Sequence, residues 1–228
     1  MQDGITTVIA TPHQLGRYDG RNSPAQVRQA VQAFQQALTQ AGLPLKVLPG
    51  ADVRFDERLV RELKADTVLT LADRGKHLLL ELPHEIYFEP WGLLADMQAR
   101  GIQPILSHPE RHYHLQLHPS AIETWLRHGV VLQVTAGSLT GDFGAVAQRL
   151  AWQLLDAGCV SLLATDAHHH LSRPPRMTAA LRMVNQRLGA SAARYLGQES
   201  PQCILDGQPL AVPFMPSTVE RRPPVGPR

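Results

Sequence analysis

The chain repeats one arrangement six times: a glycine, a short apolar run, then a polar residue. Gly4 leads through Ile5 to Ala10 and reaches His13, and Gly42 leads through Leu43 to Leu48 and reaches Asp52. Gly75 precedes Leu78-Leu79-Leu80 and Glu81, and Gly101 precedes Ile102 to Ser107 and His108. Gly129 precedes Val130 to Val134 and Thr135, and Gly158 precedes Cys159 to Thr165 and Asp166. A glycine just past a helix takes the left-handed closing conformation, so each of these reads as a helix stop that feeds a strand.

The segments between them have helical period. Ser23 and Pro24 form an N-cap with proline in the first turn, and Val27, Val31, Phe34 and Leu38 then share one face. Trp91, Leu94 and Met97 do the same, as do Ile122, Trp125 and Leu126, and Val146, Leu150 and Leu154. A last amphipathic helix is predicted over 175–188, carrying Met177, Leu181, Val184 and Leu188, with a short one over 190–196. Strands that are apolar throughout and alternate with helices predict an α/β fold with a parallel sheet covered by helices. No domain break separates the units, which favours a barrel, with an open doubly wound sheet as the alternative. One domain is expected over 1–205. The six prolines between Gly207 and Arg228 predict a disordered tail over 206–228.

Composition excludes several classes. A net charge of +2 gives no basis for binding nucleic acid or an anionic membrane. No apolar run approaches the length of a membrane span, and the first residues lack the pattern of a signal peptide, so the expected location is the cytoplasm. Cys159 and Cys203 make no CxxC pair. Neither is followed at the sixth position by arginine (Thr165 and Pro209 stand there), which excludes a cysteine-based phosphatase. No Gly-rich phosphate loop is present, which leaves kinase or NTPase activity without support.

In a parallel barrel the strand C-termini point to one face, where active sites are built. The residues just past these strands are His13, Asp52, Glu81, His108, Asp166 and His168. Each alone has a structural explanation as a turn or loop residue. Glu81 is the exception, because a carboxylate ending a buried apolar run needs a charged partner. Imidazoles and carboxylates gathered at equivalent strand ends are a ligand set for divalent metal.

The pieces Thr11-Pro12-His13, Gly50-Ala51-Asp52, Leu80-Glu81, Ser107-His108-Pro109-Glu110-Arg111, Thr165-Asp166-Ala167-His168 and Ser172-Arg173-Pro174-Pro175 stand in one order. In them the chain resembles the PHP (polymerase and histidinol phosphatase) superfamily. Within it, the chain is most similar to the bacterial metal-dependent protein tyrosine phosphatases found with capsule and exopolysaccharide tyrosine kinases. The resemblance covers roughly residues 4 to 205. It implies a distorted seven-stranded barrel, a cluster of up to three metal ions, commonly manganese, with iron or zinc as alternatives, and a tyrosine autokinase as the phosphotyrosine partner. By that resemblance His13 and His168 would share one ion. Glu81 and His108 would hold a second, bridged through Asp52 to a third that Asp166 also binds. Arg111 and Arg173 would clamp the phosphoryl oxygens.

Two departures accompany the resemblance. The superfamily opens with a strand bearing His-x-His, and no such pair precedes Gly4. The barrel is therefore expected to lack its first strand and helix, with an upstream, in-frame coding stretch as the expected source of both. Asp52 also stands where the relatives usually carry glutamate, one methylene longer. The resulting expectation is a metal-dependent phosphomonoesterase for phosphotyrosine proteins. The alternatives are a small-molecule phosphatase, such as one for histidinol phosphate, or an inactive barrel that binds a partner kinase.

Overall fold

A computed structural model describes residues 3–83 and 86–211. Strand β1 (Thr7–Ala10) resumes after Thr11 and Pro12 as β2 (His13–Gln14), and β3 (Lys46–Pro49) resumes after Gly50 and Ala51 as β4 (Asp52–Arg54). Proline cannot donate to a ladder, and the break at Pro12 falls where that donor is missing. The remaining strands are β5 (His77–Glu81), β6 (Gln103–Ser107), β7 (Val131–Thr135) and β8 (Val160–Ala164). Every pairing between these strands is parallel: β1 with β3, and β2-β4-β5-β6-β7-β8 in one six-stranded sheet. Counting each interrupted strand once, the strands follow one another in chain order, as the repeated glycine pattern predicts. Gly101 and Gly158 lie at φ +71° and +69°, the left-handed closing conformation that pattern requires.

The helices are α1 (Pro24–Gln40), α2 (Leu59–Lys64), α3 (Trp91–Gln98), α4 (Tyr113–Leu117) and α5 (Ala121–Arg127). They continue as α6 (Ala136–Thr140), α7 (Gly144–Asp156), α8 (Thr178–Leu188), α9 (Ala190–Arg194) and α10 (Ser200–Asp206). Helix α1 starts with a reciprocal cap, in which Gln26 N–H donates to Ser23 Oγ at 3.4 Å and Ser23 N–H donates to Gln26 Oε1 at 2.9 Å. Across the chain, the Asp3 carboxylate accepts from the Thr178 N–H at 3.0 Å and so caps α8.

Both faces of the sheet are apolar, and alternation sorts the side chains. On β5, Leu78 and Leu80 join the large cluster that the helices cover, with Trp125 and Met97 fully buried in it. Leu79 points the other way and packs with Ile105, Val131 and Leu162 over Ile204 and Leu210. Because side chains alternate along a strand, Glu81 lies on the same face as Leu79, at the carboxyl end of that smaller core. Three predicted core positions are exposed instead: Phe34 at 52%, Val146 at 51% and Leu188 at 36%. Phe34 lines an open surface groove with Ala10, Pro12 and Val31. Val146 sits in the first turn of α7, ahead of the residues that meet the sheet. Leu188, the last residue of α8, is exposed for a similar reason.

Beyond α10 the chain turns under the sheet. The Leu210 N–H donates to Gln103 Oε1 and the Gln103 amide donates to the Leu210 carbonyl, both at 2.8 Å. The rest of the expected proline-rich tail, 212–228, lies outside the described residues. No helix among the described residues is long and apolar enough to cross a membrane. Both cysteines are free.

Candidate metal centre

Register brings the first ligands together. His13 stands opposite Asp52, and Arg54 opposite Glu81, in adjacent parallel pairs. His13, Asp52 and Glu81 each offer a ligand atom, and those atoms all lie within 4.8 Å of one another. His13 Nδ1 is 3.3 Å from Glu81 Oε2. From the next strand end, His108 Nε2 lies 3.5 Å from Glu81 Oε1 and 3.8 Å from Asp52 Oδ2. Two imidazoles and two carboxylates thus converge from four strand positions.

The arrangement is electrostatically uncomfortable without a cation. Burial pushes the Asp52 carboxyl well above the ordinary carboxylate range, and the neighbouring charges of Glu81 and Asp166 push it further. Its Oδ1 is buried with no hydrogen-bond partner among the described residues. Burial holds His13 below the usual imidazole range, with His168 and Arg54 adding to the effect. His13 is therefore neutral at pH 7, the form in which an imidazole ligates metal. A half-buried neutral imidazole beside two crowded, buried carboxylates is the chemistry of a divalent-cation site, so these residues fit such an ion.

Asp166 and His168 follow β8, a little apart from that group. Asp166 Oδ2 accepts from both Arg111 Nη1 and Arg173 Nη2. Burial alone would raise the Asp166 carboxyl, but the charges of His108, Arg111 and Arg173 outweigh it and hold the group below its usual range. The two arginines expected to grip substrate therefore converge on a residue expected to grip metal. His168 donates from Nδ1 to the Asp166 carbonyl at 2.9 Å, which leaves Nε2 as its acceptor atom, and its ring lies 6.0 Å from that of His13. Both turns are strained: His108 has φ +34° and Asp166 φ +50°, left-handed values that cost a non-glycine residue on the order of 1 kcal/mol or more.

Three neighbours, Arg54, Tyr18 and Phe143, escaped sequence reading, and a fourth, Glu110, stood there only as part of a motif. Arg54, buried at 5% exposure, places Nε 3.3 Å from Glu81 Oε2 and supplies the charged partner that Glu81 required. Its signal was present, since Arg54 is two residues from Asp52 and so shares its face. Tyr18 stacks on His13 with ring centroids 4.7 Å apart. Phe143 lies beneath both Arg111 and Arg173. Glu110, fully buried, accepts from the Thr135 N–H at 3.0 Å and from Ser138 Oγ at 2.6 Å, pinning the turn that carries His108 and Arg111 to the end of β7. Glu110→Ala strands both donors and is expected to cost about 2 kcal/mol in denaturant unfolding. Glu110→Gln keeps the acceptor and should cost less than half of that. Equal losses from the two substitutions would mean that the hydrogen bonds are not what Glu110 contributes.

A parallel α/β sheet with imidazoles and carboxylates gathered at its strand ends defines a class of proteins that carry their chemistry on that edge. Within it, the chain belongs to the capsular polysaccharide synthesis CpsB/CapC family, whose family model matches residues 1–206. It is 32% identical over 228 residues to the tyrosine-protein phosphatase YwqE of Bacillus subtilis (strain 168), covering 98% of this chain and 84% of that protein. It is 22% identical over 214 residues to the tyrosine-protein phosphatase CpsB of Streptococcus pneumoniae, covering 91% and 87% respectively. The fold superposes with a TM-score of 0.86 and 28% identity on a crystal structure from work on YwqE and CpsB, described there as unique metal-dependent tyrosine phosphatases. That match covers 95% of this chain and 88% of the other.

Proposed function

We propose that the protein is a metal-dependent phosphatase that hydrolyses phosphotyrosine in proteins, acting in the cytoplasm on a bacterial tyrosine autokinase of capsule or exopolysaccharide synthesis. The observation that carries this reading is the converging His13–Asp52–Glu81–His108 group beside the Arg111–Asp166–Arg173 cluster, in a chain whose relatives are named for this activity. His13, Asp52, Glu81 and His108, with Asp166 and His168 at the rim, would hold divalent ions, manganese being the proposed occupant. When bound, such ions supply an activated water and neutralise charge on the transferring phosphoryl group.

The chain's own residues account for the rest. Arg54 sets a guanidinium against the buried Glu81 carboxylate, the charged partner such a group needs. Asp166, ionised at neutral pH, holds Arg111 and Arg173 side by side. Arg173 Nε is buried with no hydrogen-bond partner among the described residues. Guanidinium forks bind tetrahedral oxyanions through paired N–H bonds, which orients the ester for in-line attack.

The deciding experiment assays a phosphotyrosine peptide and histidinol phosphate in parallel, each with added manganese. Turnover of the peptide in clear preference to histidinol phosphate is the expected result. Preference for histidinol phosphate would replace the proposal with a small-molecule phosphatase, and turnover of neither would remove the enzymatic reading. Metal analysis of the purified protein then identifies the occupant, which the ligand set alone does not fix.

A further inference from the structure

The two clamp arginines come from different loops, one after β6 and one after β8, yet they meet over a single aromatic ring. The guanidinium carbon of Arg111 lies 4.3 Å from the centroid of Phe143, and that of Arg173 lies 5.1 Å from it. Phe143 comes from a third loop, between α6 and α7. The same two guanidiniums share one oxygen of Asp166. One carboxylate thus faces two cations, leaving a net positive charge and a repulsion between the arginines to be offset. An aromatic face attracts cations through its quadrupole without supplying a formal negative charge that would repel an incoming anion. A second carboxylate in its place would hold the arginines equally well and drive phosphate away.

We propose that Phe143 is a positioning residue for anion binding: its ring carries the guanidiniums of Arg111 and Arg173 and sets them for a phosphoryl group. The inference rests on the phosphatase reading for its substrate, but the binding it describes can be measured without turnover. The seat of the ring supports it. A Cβ added to Gly137 of α6 would come within 2.9 Å of Phe143 Cε2, so the ring is packed against a position that has room only for hydrogen.

The test measures binding of inorganic phosphate to the manganese-loaded protein by calorimetry, with kcat and KM for a phosphotyrosine peptide alongside. Phe143→Leu removes the quadrupole while keeping an apolar side chain, and is expected to weaken phosphate about fivefold to tenfold. Phe143→Tyr keeps the aromatic face and should stay within about twofold of the parent. The loss in Phe143→Leu should fall mainly on KM, with bound metal unchanged. In a double-mutant cycle with Arg111→Gln the two losses should not add, because Phe143 acts through the arginine. Gly137→Ala leaves the ring in place chemically but displaces it, on a helix that tolerates alanine, and should also weaken phosphate. It therefore decides the matter if Phe143→Leu fails to fold.

Equal phosphate affinity in Phe143→Leu and the parent, or additive losses in the cycle, would overturn the role. So would a parent protein that binds no phosphate at all. A parent that binds phosphate but turns over no phosphotyrosine peptide would remove the functional reading, and the Phe143 comparison would still stand.

Discussion

Exhaustive chelation is expected to abolish phosphotyrosine hydrolysis, and Asp52→Asn is expected to do the same while making the metal-free protein more stable. Divalent ions contribute several kcal/mol to a phosphoryl-transfer transition state, so the loss should reach about a thousandfold. The opposite effect on stability follows from the setting of Asp52. It is buried, one of its oxygens lacks a hydrogen bond, and Glu81 and Asp166 repel its charge. Its folded pKa is therefore raised, so between roughly pH 4 and that raised value the metal-free folded state holds a proton that the unfolded chain releases. Its contribution favours folding at low pH and is lost as pH rises toward neutrality. Replacing the carboxylate by an amide removes the penalty, with a gain of about 1–4 kcal/mol. Thermal melts of parent and variant between pH 5 and 8, with and without manganese, check both halves. In the metal-free protein, the variant's advantage should grow with pH. With manganese added, only the parent should gain. A metal-free Asp52→Asn protein that melts below the parent at pH 8 would show that the cluster is not a strained, cation-seeking site, and full activity in excess chelator would end the metal mechanism.

The same residues show how far sequence carries and where it stops. Glu81 was suspect on the page because it ends a run of buried leucines, and the structure supplies its partners in His13, Arg54 and His108. His13 and Asp52 were legible as strand ends, since a glycine stop followed by an apolar run fixes where a short strand finishes, and they prove to be register partners. Arg54 is as legible by alternation, two residues past Asp52 on the same face of β4, but it is not itself the residue that ends an apolar run. What sequence could not convey is contact between loops. Asp166 and the two arginines were identified separately, and nothing in their spacing of 55 and 7 residues says that both cations meet one carboxylate oxygen. Phe143, Tyr18 and Glu110 have no periodic signal, because turns and strained backbone place them. Phe34 and Val146 failed in the other direction. They match the helical stripe, but a stripe says which side a residue faces, not how completely its neighbours cover it.

Replacing Arg111 or Arg173 by lysine is expected to lower kcat/KM for a phosphotyrosine peptide about a hundredfold, although the charge is kept. Loss of one preorganised donor to a developing oxyanion typically costs that much, and an ammonium cannot reproduce the planar fork that pairs with two oxygens of one phosphoryl group. The geometry sharpens the expectation. Arg111 and Arg173 have side chains only 16% and 25% exposed, and both are anchored on Asp166, so neither can swing to compensate for the other. A lysine could satisfy Asp166 with a single N–H, leaving nothing directed at substrate. At Arg173 the change also removes Nε, the donor without a partner. The competing account is that the arginines serve only to neutralise Asp166. In that case lysine would serve nearly as well for turnover, and the effect would appear in thermal stability instead. Measuring kcat and KM beside the melting temperature for Arg111→Lys and Arg173→Lys separates the two. Near-normal turnover with a lowered melting temperature would reduce the pair to a structural ion cluster and take the phosphoryl clamp out of the mechanism.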